Sequence, residues 1–176
     1  MWDWKYCLIE LKGSFLINIG LRNNKFFVEP VFILKIEKEA LSILEFLKKE
    51  FGVGNIVENK KYASYIVRGI NDCLVFASKI DERKFLTSKK KDFSLWKIAL
   101  EKIKNFEHLK KEGFLSICEI RDRMNLEKKR KNYKSKKYFE KLIEKGGIKF
   151  ENNFEKRKRI AENLRKTYSL RNLRME

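Results

Sequence analysis

The side chains present in number enough to do chemistry are cations. The 176-residue chain carries 42 Lys and Arg against 24 Asp and Glu, a formal net charge of +18, with a single His. A surplus of that size calls for a polyanionic partner, because each phosphate neutralised by Lys or Arg releases condensed counterions. The charge is unevenly placed: residues 126–176 hold 18 Lys and Arg against 7 Asp and Glu, so 11 of the 18 net charges lie in that stretch. A run such as Lys128 to Lys131 repels itself unless an anion lies between its members. The candidate nucleic-acid ligands are therefore Lys128, Lys129, Arg130, Lys131, Lys134, Lys136, Lys137, Lys156, Arg157, Lys158, Arg159, Arg165, Lys166, Arg171 and Arg174, joined from earlier in the chain by Arg22 and the cluster Lys89, Lys90, Lys91. An arginine-rich extension that orders on structured RNA is the reading this pattern favours over a merely solvated helix face.

Other chemistries are poorly supplied. There is no Gly-rich phosphate loop and no Ser, His and Asp set for nucleophilic catalysis. Cys7, Cys73 and Cys118 sit inside apolar periodic segments without CxxC spacing, which marks them as reduced core residues rather than metal ligands. His108 reads as a surface or capping residue. No cofactor and no metal is expected. No apolar run approaches the roughly 20 residues of a membrane span, so no membrane partner is expected, and with the first helix starting almost at Met1 no presequence is expected either. Heavy use of Lys, Asn, Ile and Phe suggests AT-rich coding of the organellar kind.

The elements that must position these residues follow from periodicity. Aromatics at 13% and hydrophobics at 43% describe a globular chain, and its length allows one good core with a small appendage. Residues 14–22 and 26–36 read as a hairpin turning at Asn23-Asn24. Residues 38–51 have the apolar spacing of a helix lying on a sheet, ended by Gly52 and Gly54. A shorter hairpin joins 55–58 to 62–68 around Asn59-Lys60-Lys61. Helices follow at 71–80, 89–105 and 108–125, the last weakened by Gly113. In the tail, 135–145 is a helix with a stripe of Tyr138, Phe139, Leu142 and Ile143, ended by Gly146-Gly147, and 154–174 repeats the idea around Ile160, Leu164 and Tyr168.

Tyr6 to Phe15, YCLIELKGSF, resembles the motif of the LAGLIDADG homing endonucleases and intron maturases, in its variant ending Gly-Ser-Phe. Gly13, Ser14 and Phe15 align, and Ile9 and Glu10 occupy the Ile-Asp positions. The blocks FGVGNI (51–56), FLTSKKKDFSLW (85–96) and EHLKKEGFLSICEIRDRMN (107–125) agree with it. The resemblance implies an α+β fold of one repeat over residues 1–125, α-β-β-α-β-β-α, with a four-stranded antiparallel saddle sheet and helices on one face. Residues 126–176 would form a basic helical RNA-binding extension. It also implies that one sheet face lies in a nucleic-acid groove. Counting in twos puts Leu16, Asn18, Gly20, Arg22, Glu29, Val31, Ile33 and Lys35 on that face and Phe32, Leu34 and Ile36 on the core side, so the second strand is apolar on both faces and its groove face is expected to be covered or repurposed. A bulge at Pro30 is the alternative, and would swap the faces.

The chemistry the resemblance implies is interrupted. The family holds its catalytic magnesium with a carboxylate just before Gly-Ser-Phe; here Lys12 stands there, and Glu10 points about 200° away around the helix. No catalytic residue is expected among the motif's acidic positions, Glu10 and Lys12. Family helices also pair through small residues, where this chain has Tyr6, Cys7 and Leu11, so a homodimer is not expected. The expected function is that of a non-catalytic RNA-binding component of a large ribonucleoprotein, an organellar (mitochondrial) ribosome before others, with rRNA and neighbouring proteins as partners. An intron maturase is the alternative, and an active homing endonuclease the least expected.

Overall fold

The computed structural model describes residues 4–22, 25–124, 133–146, 150, 155, 158–160 and 162–163. Helix α1 (Trp4–Lys12) passes without a loop into strand β1 (Gly13–Arg22), followed by β2 (Lys25–Glu37), α2 (Leu41–Phe51), β3 (Asn55–Glu58), β4 (Tyr62–Arg68), α3 (Ile70–Ser78), α4 (Lys89–Lys104), α5 (Lys111–Arg123) and α6 (Lys136–Glu144). The strands form one antiparallel sheet in the order β1-β2-β4-β3.

The direct passage from α1 to β1 depends on Gly13. A Cβ there would sit 2.6 Å from the Ile9 carbonyl oxygen and 2.9 Å from the Phe32 ring, so only glycine allows helix, strand and β2 to meet. The β1-β2 register runs unbroken from Gly13 opposite Leu34 to Arg22 opposite Lys25, through Ile17 opposite Pro30. Pro30 therefore makes no bulge, and the faces counted in twos hold. Phe15, Ile17, Phe32, Leu34, Ile36, Ala63, Tyr65 and Val67 all point to the helices and are buried. Their rings stack through Phe76, Phe93 and Trp96, with Phe32 and Phe76 at 4.5 Å and Phe15 and Trp96 at 5.2 Å. Burying a side chain of this kind contributes about 1.5–3 kcal/mol.

Local chemistry closes the elements. Gly52 takes φ 67° and its N–H donates to Lys48 O, ending α2 as expected from its sequence. The Lys79 ammonium donates to the Phe51 carbonyl at 2.9 Å and satisfies a second free helix-end acceptor. In the β3-β4 turn the Asn59 carboxamide accepts from the Lys61 and Tyr62 amides at 3.0 and 2.8 Å.

Two expectations about helices need correction. The segment expected as one helix over 108–125 is a 3-10 turn, Glu107–Leu109, then α5 from Lys111, because Lys110 is extended at φ -101° and ψ 149°. Gly113 is no weak point there: a Cβ would lie 2.2 Å from the Glu107 oxygen, so the glycine admits the preceding turn. His108 belongs to that turn, half-buried, its ring 6.4 Å from Phe106. Tyr6, read as one of the bulky residues at the positions where family helices pair, is instead buried against Phe85, and its hydroxyl accepts from the Asp81 amide at 2.9 Å. The outer face of α1 carries Trp4 and Leu11, 47% and 77% exposed.

The tail stretch that is described docks on the domain. Phe139 is fully buried in a cluster with Phe26, Phe114 and Cys118, flanked by Leu142, Ile143 and Phe150. Tyr138, expected in the apolar stripe, is instead 40% exposed, since it stands about 100° around the helix from Phe139. Of the helix expected over 154–174, the described positions 155, 158–160 and 162–163 are helical and Ile160 is exposed.

Candidate nucleic-acid interface

The motif end is built from both sides of the chain. Glu10, on the last turn of α1, accepts through Oε1 from the Leu86 amide at 2.8 Å, the Thr87 amide at 2.9 Å and the Thr87 hydroxyl at 3.1 Å. This carboxylate is a cap for the turn that precedes α4. Lys12 is exposed at the helix end. The Lys89 side chain is buried, and its ammonium donates to the Gly13 carbonyl at 2.8 Å, the oxygen where helix becomes strand. Lys89 is thus separated from its neighbours: Lys90 and Lys91 are exposed, as an anion site requires, whereas Lys89 braces the α1-β1 junction from within.

A divalent cation does not fit these residues. An ammonium stands where the resemblance calls for a carboxylate, and the nearest carboxylate in the motif has one oxygen accepting three hydrogen bonds. Among the described residues no group of three or more His, Cys, Asp or Glu could hold a metal ion.

The sheet face opposite the helices is apolar at its centre. Val31 stands between Leu16 of β1 and Arg68 of β4 and is fully buried; Leu16, Ile33 and Ile66 around it are half-buried. Polar groups lie at the margins. Asn18 is exposed opposite Glu29, which pairs with Arg68 at 3.7 Å, and the Lys35 ammonium lies 3.9 Å from the Tyr62 ring centre. Readers of base edges need hydrogen-bonding side chains in the middle of such a face; here they are at its rim. Arg22 closes β1 opposite Lys25.

The start of α6 is held by α5. Asp122 accepts from the Lys136 amide at 2.7 Å through one oxygen and from the Tyr133 hydroxyl at 2.7 Å through the other, capping α6 from a neighbouring helix. Burial, and then the hydrogen bond to Asp122, push the Tyr133 phenol up to about 12, which keeps it a donor. The Arg121 guanidinium bonds the Tyr133 hydroxyl at 3.1 Å and the Lys134 carbonyl, and lies over the Phe139 ring. The Lys136 ammonium is paired with Glu119 at 2.9 Å and Glu140 at 3.8 Å. The Glu119 hydrogen bond raises Lys136 above its ordinary value, and the same bond holds Glu119 below the usual carboxylate range. Lys134 and Lys137 remain exposed, as does Arg159, with Lys158 half-buried. Lys136, expected as an anion ligand, is therefore already neutralised. Lys128, Lys129, Arg130, Lys131, Lys156, Arg157, Arg165, Lys166, Arg171 and Arg174 lie outside the described residues.

A motif helix running straight into the first strand of a four-stranded antiparallel sheet, with every helix of the core on one face, defines a LAGLIDADG-type α+β domain. The chain belongs to the LAGLIDADG endonuclease family, whose sequence profile matches residues 8–100. It is 29% identical over 131 residues to a probable intron-encoded endonuclease 3 of Neurospora crassa, covering 71% of this chain and 24% of that protein. It is 28% identical over 109 residues to an uncharacterized 50.9 kDa protein in ND4 intron 1 of Podospora anserina, covering 58% of this chain and 24% of that protein. The chain thus spans about a quarter of the length of these curated relatives. Among solved structures it resembles the homing endonuclease I-GzeII in complex with its DNA target, at 33% identity and TM-score 0.63 over 68% of this chain and 43% of that one. The homing endonuclease I-TnaI shares the fold at TM-score 0.68, with 22% identity over 82% of this chain and 97% of that one.

Proposed function

We propose that this chain is a non-cleaving, RNA-binding member of the family that acts as a fixed component of a ribonucleoprotein. One observation carries the non-cleaving part: Lys12 occupies the metal-carboxylate position while Glu10 is engaged as the cap of the 85–88 turn. RNA rather than duplex DNA is supported by distribution. The sheet face offers Leu16, Val31 and Ile33 where base readers would stand, and 11 of the 18 net charges lie in residues 126–176. A mitochondrial ribosome and an organellar intron are the two assemblies that suit this chemistry, and the intron-encoded relatives favour the intron, in a maturase-like role. In either, structured RNA and adjoining proteins are the partners, the site is the mitochondrion, and neither a membrane nor a second copy of the chain is required.

DNA-bound structural relatives give the competing reading, that of an endonuclease, and one assay separates the two. The full chain, incubated with magnesium and duplex DNA carrying the target sequences of its structural relatives, is expected to leave the DNA uncut, and Lys12→Glu is expected to leave it uncut as well. Structured RNA is expected to be retained on a filter with an affinity that falls steeply with salt. Cutting by the unaltered chain, or retention of duplex DNA in preference to RNA at equal salt, would sink the proposal.

A further inference from the structure

The outer surface of α6 carries an organised row of cations. Lys137 and Lys141 on α6 and Lys145 at its C-cap are all exposed and recur every four residues, which places them about 40° apart around the helix axis and about 6 Å apart along it. That step is close to the spacing of successive phosphates on one nucleic-acid strand. Docking fixes which way the row looks. Phe139, Leu142 and Ile143 face the domain, on the side of the helix opposite the row, so the burial of Phe139 aims the three ammonium groups outward. The row is also electrostatically open. Lys136, nearer the α5 side, is paired with Glu119 and Glu140, whereas among the described residues no carboxylate lies within ion-pairing distance of Lys137, Lys141 or Lys145. The helix itself has only one further carboxylate, Glu144, near its C-terminal end. Beside the row stands Tyr138, 40% exposed, with the Lys134 ammonium 5.0 Å from its ring centre.

The geometry points to a binding site for a single RNA strand on the outer face of α6, with Lys137, Lys141 and Lys145 contacting consecutive phosphates and the Tyr138 ring stacking on a base beside them. A stacking ring flanked by a cationic track is how sequence-tolerant single-strand sites work, and duplex RNA would present no open base face to Tyr138. The inference rests on the RNA-binding reading above and names the strand form and the surface that takes it. It replaces Lys136 in the expected ligand set with Lys141, Lys145 and Tyr138.

The test uses the full chain and two probes, an RNA duplex with a single-stranded extension of about 10 nucleotides and the same duplex without it. Replacing Lys137, Lys141 and Lys145 together by Gln is expected to lower the slope of log affinity against log salt by about 2 to 3, at roughly 0.7 to 0.9 for each phosphate no longer neutralised. Lys48, Lys49 and Lys60, exposed elsewhere, are replaced by Gln as a control of equal charge and are expected to leave most of the slope in place. Replacing the row by Arg is expected to retain it. Tyr138→Ala is expected to weaken binding of the extended duplex about tenfold and to leave the blunt duplex unaffected. Circular dichroism confirms that each variant is folded. An equal loss of slope in row and control overturns the site, because net charge alone would then account for binding. A slope unchanged in the row variant overturns it too, while leaving the RNA-binding reading intact. Retention on anionic phosphatidylserine vesicles but on neither RNA overturns both.

Discussion

Lys89 and Lys141 are the same residue type on two helices of one chain, and they differ in everything that matters for binding. At the α1-β1 junction the cation is turned inward: Lys89 is buried on the Gly13 carbonyl, and the neighbouring carboxylate of Glu10 closes a turn. On α6 the cations are turned outward by an aromatic side chain anchored beneath them, and no described carboxylate lies within ion-pairing distance of the row. The first region uses the family's motif as architecture, and the second uses an appended helix as a charged surface. A lysine's role is thus set by what meets its ammonium, and only the fold decides that.

That contrast can be broken at several points. The largest effect is expected from Phe139→Ala. Removing a fully buried ring costs about 3–5 kcal/mol at a fixed site, enough to release α6 and expose its amides to hydrogen exchange, while the sheet amides stay protected. If α6 exchange is unchanged, the docking argument is wrong.

Lys89→Met should destabilise the domain by about 1–3 kcal/mol in urea unfolding, because the buried Gly13 carbonyl loses its charged donor. Lys90→Ala and Lys91→Ala, both at exposed positions, should stay within about 0.5 kcal/mol. Equal losses at all three positions would erase the distinction between brace and surface.

Smaller still should be the response to Leu11→Lys. Leu11 is 77% exposed, so the substitution is expected to cost less than about 0.5 kcal/mol and to leave the sedimentation coefficient unchanged at that of a monomer. A stable dimer in the unaltered chain, lost on this substitution, would show that the bulky outer face of α1 does accept a second copy.

The smallest expected effect is on the acid side of α6. Glu119 is held below its ordinary value by Lys136, so its contribution is present above the unfolded carboxylate value, about 4.3, and is lost as pH falls through the lower folded one. The pair is exposed and screened, so the loss should be slight. Side-chain NMR titration of Glu119, with Lys136→Gln as reference, measures it. A titration midpoint at or above the ordinary value would remove the pair from the docking argument.

Much of this was legible in the sequence. Gly13-Ser14-Phe15 after an apolar helix, alternation in the strands and the glycines at 52 and 54 determined the repeat and, up to a bulge at Pro30, the strand faces, because these depend on local backbone geometry and on a period of two; the unbroken β1-β2 ladder past Pro30 then fixed the register. The lysine in place of the metal carboxylate was visible in the same decamer. What the sequence could not express was which polar groups meet across the chain. Glu10 reaches the amides of Leu86 and Thr87, Lys89 reaches Gly13, and Asp122 caps α6 at Lys136, pairs separated by 76, 77, 76 and 14 positions. Periodicity put Tyr138 with Phe139 in one apolar stripe, but a helix docked through a single ring must turn its neighbour outward, and only the packing of Phe26, Phe114 and Phe150 chose which ring went in. Side-chain charge is written in the sequence; whether an ammonium is neutralised is a property of the folded surroundings, since a carboxylate must come within about 4 Å to pair with it.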